Sequence, residues 1–333
     1  MPTFYLFYTN FNDMQNEIWY DHFIQLLHAK YPKKSHLTQA LMDLLFIERE
    51  AAYRRLSKTV AFSIHEIVKI ASTWNISLDE ITGLQSGKVS FQMQQMNYLD
   101  PSEDELKLLQ QIIQDIGYLK DVPDVEFMDI CNKLPRQLLA GYEYLNQFYL
   151  FKWRYQYGNE KEVTPFSQTL ISEEKRQLTA DYNQAIKHVP NSSFIWDSMI
   201  FGYLINDIRY FYSIYLISDE DKKLIKKDLY ALLDYLLEIA NKGYYPETHN
   251  KVNFYISQLN VDTNYSYVFT PEANICFVHV FEKYEIHTFN PEMVANFKSW
   301  MQLKKRTSTQ ISEVDEKSRI EFFTRQRQLV DGL

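Results

Sequence analysis

The sequence predicts a mainly α protein, α+β overall, built from two domains: a five-helix N-terminal domain over residues 1–86, and a larger helical domain over 87–333 that holds a small antiparallel sheet. Three observations carry this prediction. The first 83 residues contain short apolar runs at helical spacing, separated by capping signals. Long stripes of Leu, Ile and aromatic residues with a 3.6-residue period follow between Leu106 and Leu237. Between Lys251 and Phe289 the period shortens to that of strands.

The N-terminal elements follow in order. Trp19 to Lys30 forms an amphipathic helix through Phe23, Ile24, Leu26 and Leu27. Leu41, Leu44 and Leu45 mark a second helix, and Ile47, Ala51, Ala52 and Leu56 a third after a break near Phe46. Ser63 stands three residues before Glu66, and Ser77 three before Glu80. Each pair has the spacing of a capping box, in which the two side chains satisfy orphan amides at a helix start. Ile67, Ile70, Ala71 and Trp74 give the fourth helix a buried face; Leu78 and Ile81 do so for the fifth, which Gly83 can close.

These residues resemble the phage-repressor-like (XRE/Cro-type) helix-turn-helix family. The matching pieces are Leu37-Thr38-Gln39, Ser63 to Ala71, and Ser77-Leu78-Asp79-Glu80-Ile81, within the first quarter of the chain. The sequence departs from the family in the turn between helices two and three, where Phe46-Ile47 replaces a frequent glycine. The resemblance implies sequence-specific binding of double-stranded DNA. Glu48 to Ser57 is then the recognition helix in the major groove, with Arg49, Tyr53 and Arg54 outward and Arg55 and Lys58 placed to reach phosphates or flanking bases. Arginine suits bidentate contact with guanine, and basic side chains at the rim make affinity depend on salt. Glu48 and Glu50 work against phosphate on the same helix. The alternative reading of such a basic run is the solvated face of an ordinary helix.

With 333 residues, 46% hydrophobic and 16% aromatic, the chain can bury two substantial cores. The net charge of −8 argues against wholesale electrostatic binding of nucleic acid. Its distribution matters more, because residues 1–85 hold eight Lys/Arg against nine Asp/Glu and so are nearly neutral. Affinity for DNA would have to come from specific contacts or from a homodimer. Cys131 and Cys276 are far apart and imply no disulfide framework, which fits a reducing, cytoplasmic setting. The apolar start, Met1 to Tyr8, lacks the basic region of a signal peptide, and no run is long enough to span a membrane.

Leu84 to Lys88 reads as a linker, followed by a short strand at Val89 to Met93. Ser102 and Glu105 open a helix whose stripe from Leu106 to Leu119 is either core or a dimer contact. A strand at Val125 to Ile130 precedes the aromatic helix Tyr142 to Tyr157, and a second aromatic helix runs from Phe201 to Tyr215. Between them lies either an aromatic core or a ligand pocket, with Arg154 and Arg209 available to an anion. Ser218 and Asp221 cap a helix ending at Gly243. Strands follow at Lys251 to Leu259, Tyr265 to Phe269, Ile275 to Phe281 and Tyr284 to Phe289, with Glu282-Lys283 as a turn; helices at Met293 to Leu303 and Glu316 to Val330 close the chain.

No catalytic motif emerges. Cys276 and His279 have the spacing of half a metal site, but on a strand they point to opposite faces. There is no Gly-rich phosphate loop, HExxH or G-x-S-x-G. Lys304-Lys305-Arg306 offers a short basic run. The sequence therefore points to a DNA-binding regulator, not an enzyme, needing no metal or cofactor, whose C-terminal domain dimerises or senses a small-molecule or protein effector. Two other classes stay open: a protein-interaction scaffold whose helix-turn-helix unit does not read DNA, and an enzyme with a site dispersed beyond Gly87.

Overall fold

The computed structural model describes residues 19–333 apart from 32, 75, 79–88, 90, 94–101, 159–162, 272–273 and 281–283. The chain divides into two compact units, Met1–Ser90 and Phe91–Leu333.

In the first unit four helices are described: α1 (residues 19–30), α2 (Lys34–Leu45), α3 (Arg49–Leu56) and α4 (Ile64–Trp74). The fifth helix expected over Ser77–Gly83 falls mainly outside the described residues. Every helix turns one stripe inward. Phe23 and Leu27 of α1, Leu37 and Leu41 of α2, Ala52 and Leu56 of α3, and Ile67, Ile70 and Trp74 of α4 form one core, closed by Phe62. Phe23 meets Phe62 edge-on at 5.5 Å, and the Phe62 amide donates to Tyr20 Oη at 3.0 Å, so the loop before α4 is tied to α1. The Ser63 box is formed as its spacing predicts: the Ser63 amide donates to Glu66 Oε2 at 2.8 Å, and the Glu66 amide to Ser63 Oγ at 3.3 Å.

The second unit is mixed α+β. Among the described residues its sheet has eight strands: β1 (Gln92–Met93), β2 (Glu126–Cys131), β3 (Asn191–Asp197), β4 (Lys251–Ser257), β5 (Tyr265–Phe269), β6 (Asn274–Val280), β7 (Tyr284–Thr288) and β8 (Thr309–Gln310). Their spatial order is β1-β7-β6-β5-β2-β3-β4-β8. This corrects the expectation of a small antiparallel sheet. β2, β3 and β4 are parallel neighbours, and antiparallel pairings occur only on either side of them. Parallel neighbours need crossovers, and helices supply them. Between β2 and β3 lie, in order, the short helix Arg136–Leu139, the aromatic helix Glu143–Tyr157 and the helix Glu173–Ile186. With Ser102–Leu119 as α5, these are α6, α7 and α8. Between β3 and β4 run α9 (Ile200–Ser213) and α10 (Asp219–Lys242); α11 (Pro291–Arg306) and α12 (Glu316–Asp331) complete the unit.

Strand alternation divides the sheet into two buried faces. On one, Cys131, Phe194, Trp196 and Phe254 pack against α7, α9, α10 and α12, with Trp196 stacked on Phe254 at 4.4 Å. On the other, Met128, Ile130, Ile195 and Tyr267 meet Val294, Phe297 and Met301 of α11. Ser218 and Asp221 form a capping box at the start of α10, and Gly243 ends that helix at φ 74°, where a side chain is disfavoured.

Among the described residues, no helix is long and apolar enough to cross a membrane.

Candidate functional site

The sequence-predicted surface belongs to α2, α3 and the three residues joining them. A tight joint between two helices needs one residue in left-handed backbone, and Phe46 provides it at φ 54°, ψ 45°. The side chain is 85% exposed, with Lys69 Nζ 4.9 Å from its ring centroid. Here a phenylalanine does what glycine would do without strain.

On α3, Ala52 and Leu56 are buried while Arg49, Glu50, Tyr53 and Arg54 are exposed. The side chains of Arg49 and Arg54 form no ion pair or hydrogen bond among the described residues. Tyr53 lies under Lys34 Nζ, 4.9 Å from the ring centroid, which adds a cation from α2 to this surface. Glu50 shares the exposed side and lowers its positive potential.

Arg55 is placed differently from the expectation. Its guanidinium turns toward α4, with Nη2 2.7 Å from Glu66 Oε1 and Nη1 donating to the Ala51 carbonyl at 3.2 Å. Both partners of the pair are mostly covered, at 19% and 15% side-chain exposure. Burial works against the charged form of Glu66, but the bonds from Arg55 and Ser63 outweigh it and hold the carboxyl below its ordinary pKa. Arg55 therefore fastens α3 to α4. Lys58 is exposed with φ 62° and pairs with Asp21 of α1, a surface ion pair of small energy. Arg49, Tyr53 and Arg54 remain as one outward group, with Lys58 beyond the end of the helix.

Two features of the second unit carry chemistry of their own. The first is a polar cluster on the sheet. Asp129 is 3% exposed, accepts from Ser266 Oγ at 2.9 Å across the β2–β5 pair, and from Gln137 Nε2 at 3.2 Å. Burial raises its pKa above the usual aspartate value, outweighing nearby His279 and the hydrogen bonds it receives. His279 Nε2 lies 3.4 Å from Ser266 Oγ and 3.3 Å from Glu285 Oε1. Both contacts meet the same ring nitrogen, and the Ser266 proton goes to Asp129. A nucleophilic relay needs the acid on one imidazole nitrogen and the serine on the other, so this arrangement does not form one. Cys276 points into the opposite core from His279, as strand alternation requires. No group of metal-ligating side chains occurs among the described residues. Both cysteines are free and buried, and burial pushes each thiol pKa up.

The second feature is a cavity of about 110 Å³ between α7 and α9. Leu145, Phe148 and Trp153 line it from α7, and Ile200, Tyr203 and Leu204 from α9. Lys133, Lys152 and Asp207 add charge to its lining. The two arginines expected near such a pocket lie elsewhere: Arg209 Nη2 donates to the Gly332 carbonyl at 3.0 Å, and Arg154 lines a smaller cleft with Phe151 and Tyr155. Lys305, from the short basic run, is half-buried, with Nζ 3.4 Å from Ser193 Oγ and 5.2 Å from the Tyr255 ring centroid.

Family models, curated proteins and solved structures give no match to this chain. The reading of α3 rests on its own geometry and on the residues between Leu37 and Ile81.

The polar cluster joins Asp129, Ser266, His279 and Glu285, which no local pattern connects. Asp129 and Ser266 are 137 positions apart and become neighbours only through the β2–β5 register. A buried aspartate in a strand whose other buried residues are apolar, EFMDIC, is the one signal that could have marked it.

Proposed function

We propose that this chain is a sequence-specific DNA-binding transcriptional regulator of bacterial, cytoplasmic type. Its N-terminal unit would read double-stranded DNA as a homodimer, and its C-terminal α+β unit would serve dimerisation or sensing. One observation carries the reading: α2 and α3 are joined through a left-handed residue at Phe46, and α3 turns Arg49, Tyr53 and Arg54 outward while Ala52 and Leu56 anchor it. A short helix held from behind, with its early residues exposed, can enter a major groove and set guanidinium groups against base edges. Lys34 and Lys58 would then neutralise backbone phosphate and give a salt-dependent share of affinity. Glu50 disfavours nonspecific adhesion, in keeping with a reader that depends on base contacts.

Selection of bound duplexes from a random DNA pool by the full chain tests this. Enrichment of one sequence, arranged as an inverted repeat, is the expected outcome; recovery of no preferred sequence would defeat the reading.

A second reading is favoured by a different observation. Phe46 and Ile64 are 85% and 83% exposed, and Val68 stands one turn beyond Ile64 on α4. An apolar surface of this kind suits contact with protein. If the unit is an interaction scaffold, Ile64→Asp and Val68→Asp abolish self-association or partner capture, whereas Arg49→Ala and Arg54→Ala leave it intact.

A further inference from the structure

Strand register sorts the sheet face beneath α11 into rows. Toward the carboxyl ends of the parallel strands, Ile130, Ile195 and Tyr255 stand side by side on β2, β3 and β4. One row nearer the amino ends come Met128, Ser193 and Asn253, and at the amino ends Glu126, Asn191 and Lys251. Parallel strands covered on both faces ordinarily carry continuous hydrophobic runs, so this polar floor needs a reason.

The protein gives these groups few partners. Ser193 and Asn253 are more than nine-tenths buried. Among the described residues, their side chains meet only Lys305 Nζ, 3.4 Å from Ser193 Oγ, and Gln310 Nε2, 3.5 Å from Asn253 Oδ1, both long contacts. Asn191 Oδ1 is buried with no partner. Tyr255 and Tyr267 are buried as deeply as Asn253 or more so, and neither hydroxyl forms a hydrogen bond among the described residues. Buried polar groups are paired in almost all native proteins, so unpaired donors and acceptors gathered in one place mark a site for something bound.

Charge indicates its chemistry. Lys251 and Lys305 form no ion pair among the described residues. Burial and the nearby Lys251 both push the Lys305 pKa down, while Glu126 works the other way. Glu126 also adds to the burial that pushes up the phenols of Tyr255 and Tyr267, so this carboxylate stands among all of these groups. A phosphomonoester carries a charge of about −1.5 to −2 at neutral pH, and between the two ammonium groups it would relieve their repulsion. Ionised Glu126 and Asn191 Oδ1 can only accept, so the same ligand needs hydroxyl donors. Two strand spacings, about 10 Å, separate Glu126 from Lys251 along the row, and their side chains shorten the span left for a ligand.

We propose that the polar floor beneath α11 binds a small hydroxylated phosphomonoester, its phosphate held by Lys251 and Lys305 and its hydroxyls by Glu126 and Asn191. This gives the second unit a ligand to sense and uses nothing of α3.

The test is calorimetric titration of the full chain, without DNA and at fixed ionic strength, with glycerol 3-phosphate, inorganic phosphate and glycerol. Glycerol 3-phosphate is expected to bind saturably at one site, about tenfold or more tighter than inorganic phosphate, and glycerol not at all. Lys305→Met keeps the stem over Tyr255 and should weaken glycerol 3-phosphate about tenfold or more, whereas Lys304→Met, beside Trp300, should change nothing. Glu126→Gln should remove the preference over inorganic phosphate. Circular dichroism reports whether each variant folds, and the exposed Lys251→Met replaces Lys305→Met if the latter does not. The proposal is overturned if glycerol 3-phosphate shows no saturable binding, if inorganic phosphate or glycerol binds as tightly, if Lys304→Met weakens binding as much as Lys305→Met, or if Glu126→Gln leaves the preference in place. Because DNA is absent, failure here and failure of the α3 reading are separate results.

Discussion

Arg55 and Glu66 offer the sharpest test of how α3 is held. The pair joins α3 to α4, and Glu66 also closes the capping box with Ser63. A hydrogen bond to a charged group contributes about 1.5–3 kcal/mol. The two side chains keep roughly a fifth or less of their surface, so screening trims this without removing it, and a coupling of about 1–2 kcal/mol is expected. Arg55→Met, Glu66→Gln and the double variant form the cycle, read by urea unfolding followed at the Ala52 and Ile67 amide resonances. The pH dependence adds a second check. Glu66 is held below its ordinary pKa of about 4.5, so its contribution is full above that value and disappears as pH falls through the folded-state pKa. The coupling should therefore be present at pH 7 and absent at strongly acidic pH. A coupling near zero at pH 7, or one that does not respond to acid, would refute the assignment of Arg55 as the strut between the helices.

Other predictions follow from single sites. Phe46→Gly relieves left-handed strain of about 1–2 kcal/mol against a smaller loss of the Lys69 contact and a more flexible unfolded chain, so its urea midpoint should rise slightly. Glu105 is 2% exposed and bonds both Arg136 and Lys175, the latter at 2.6 Å, so Glu105→Ala leaves two covered cations and should cost about 3–5 kcal/mol in denaturant unfolding. Asp129 has a raised folded-state pKa, which means that the folded protein binds its proton more tightly than the unfolded chain does; stability is therefore lost as pH rises from the unfolded value through the folded one. Asp129→Asn should remove that part of the decline, and an unchanged stability–pH profile would count against a raised Asp129 pKa.

The sequence made local features legible because their causes are local. The Ser63–Glu66 and Ser218–Asp221 caps, the left-handed stop at Gly243 and the inward stripe Ile67, Ile70, Ala71 and Trp74 each follow from spacing within one element. Periodicity marks no element between Gly158 and Phe201, where the structure has a 3-10 turn at Phe166–Gln168, α8 and the central strand β3. β3 is covered on both faces, so its residues NSSFIWD show no alternation, and buried Ser192 and Ser193 imitate a turn. Without that strand, β2 and β4 lose their common neighbour and the parallel centre of the sheet cannot be inferred. Arg55 illustrates a similar gap in the candidate site. Its partner is on the next helix, eleven positions away, and helical spacing alone does not distinguish a strut from a reader.

The central claim is that Arg49 and Arg54, not Arg55, carry DNA recognition. The direct measurement is affinity for the selected duplex across several salt concentrations, for wild type, Arg49→Ala/Arg54→Ala and Arg55→Met. If each of the two arginines makes a base contact of about 1–3 kcal/mol, the double variant loses on the order of thirtyfold or more, while folded Arg55→Met binds like wild type with the same salt slope. Undiminished binding by the double variant, or an equal loss in folded Arg55→Met, would contradict the account.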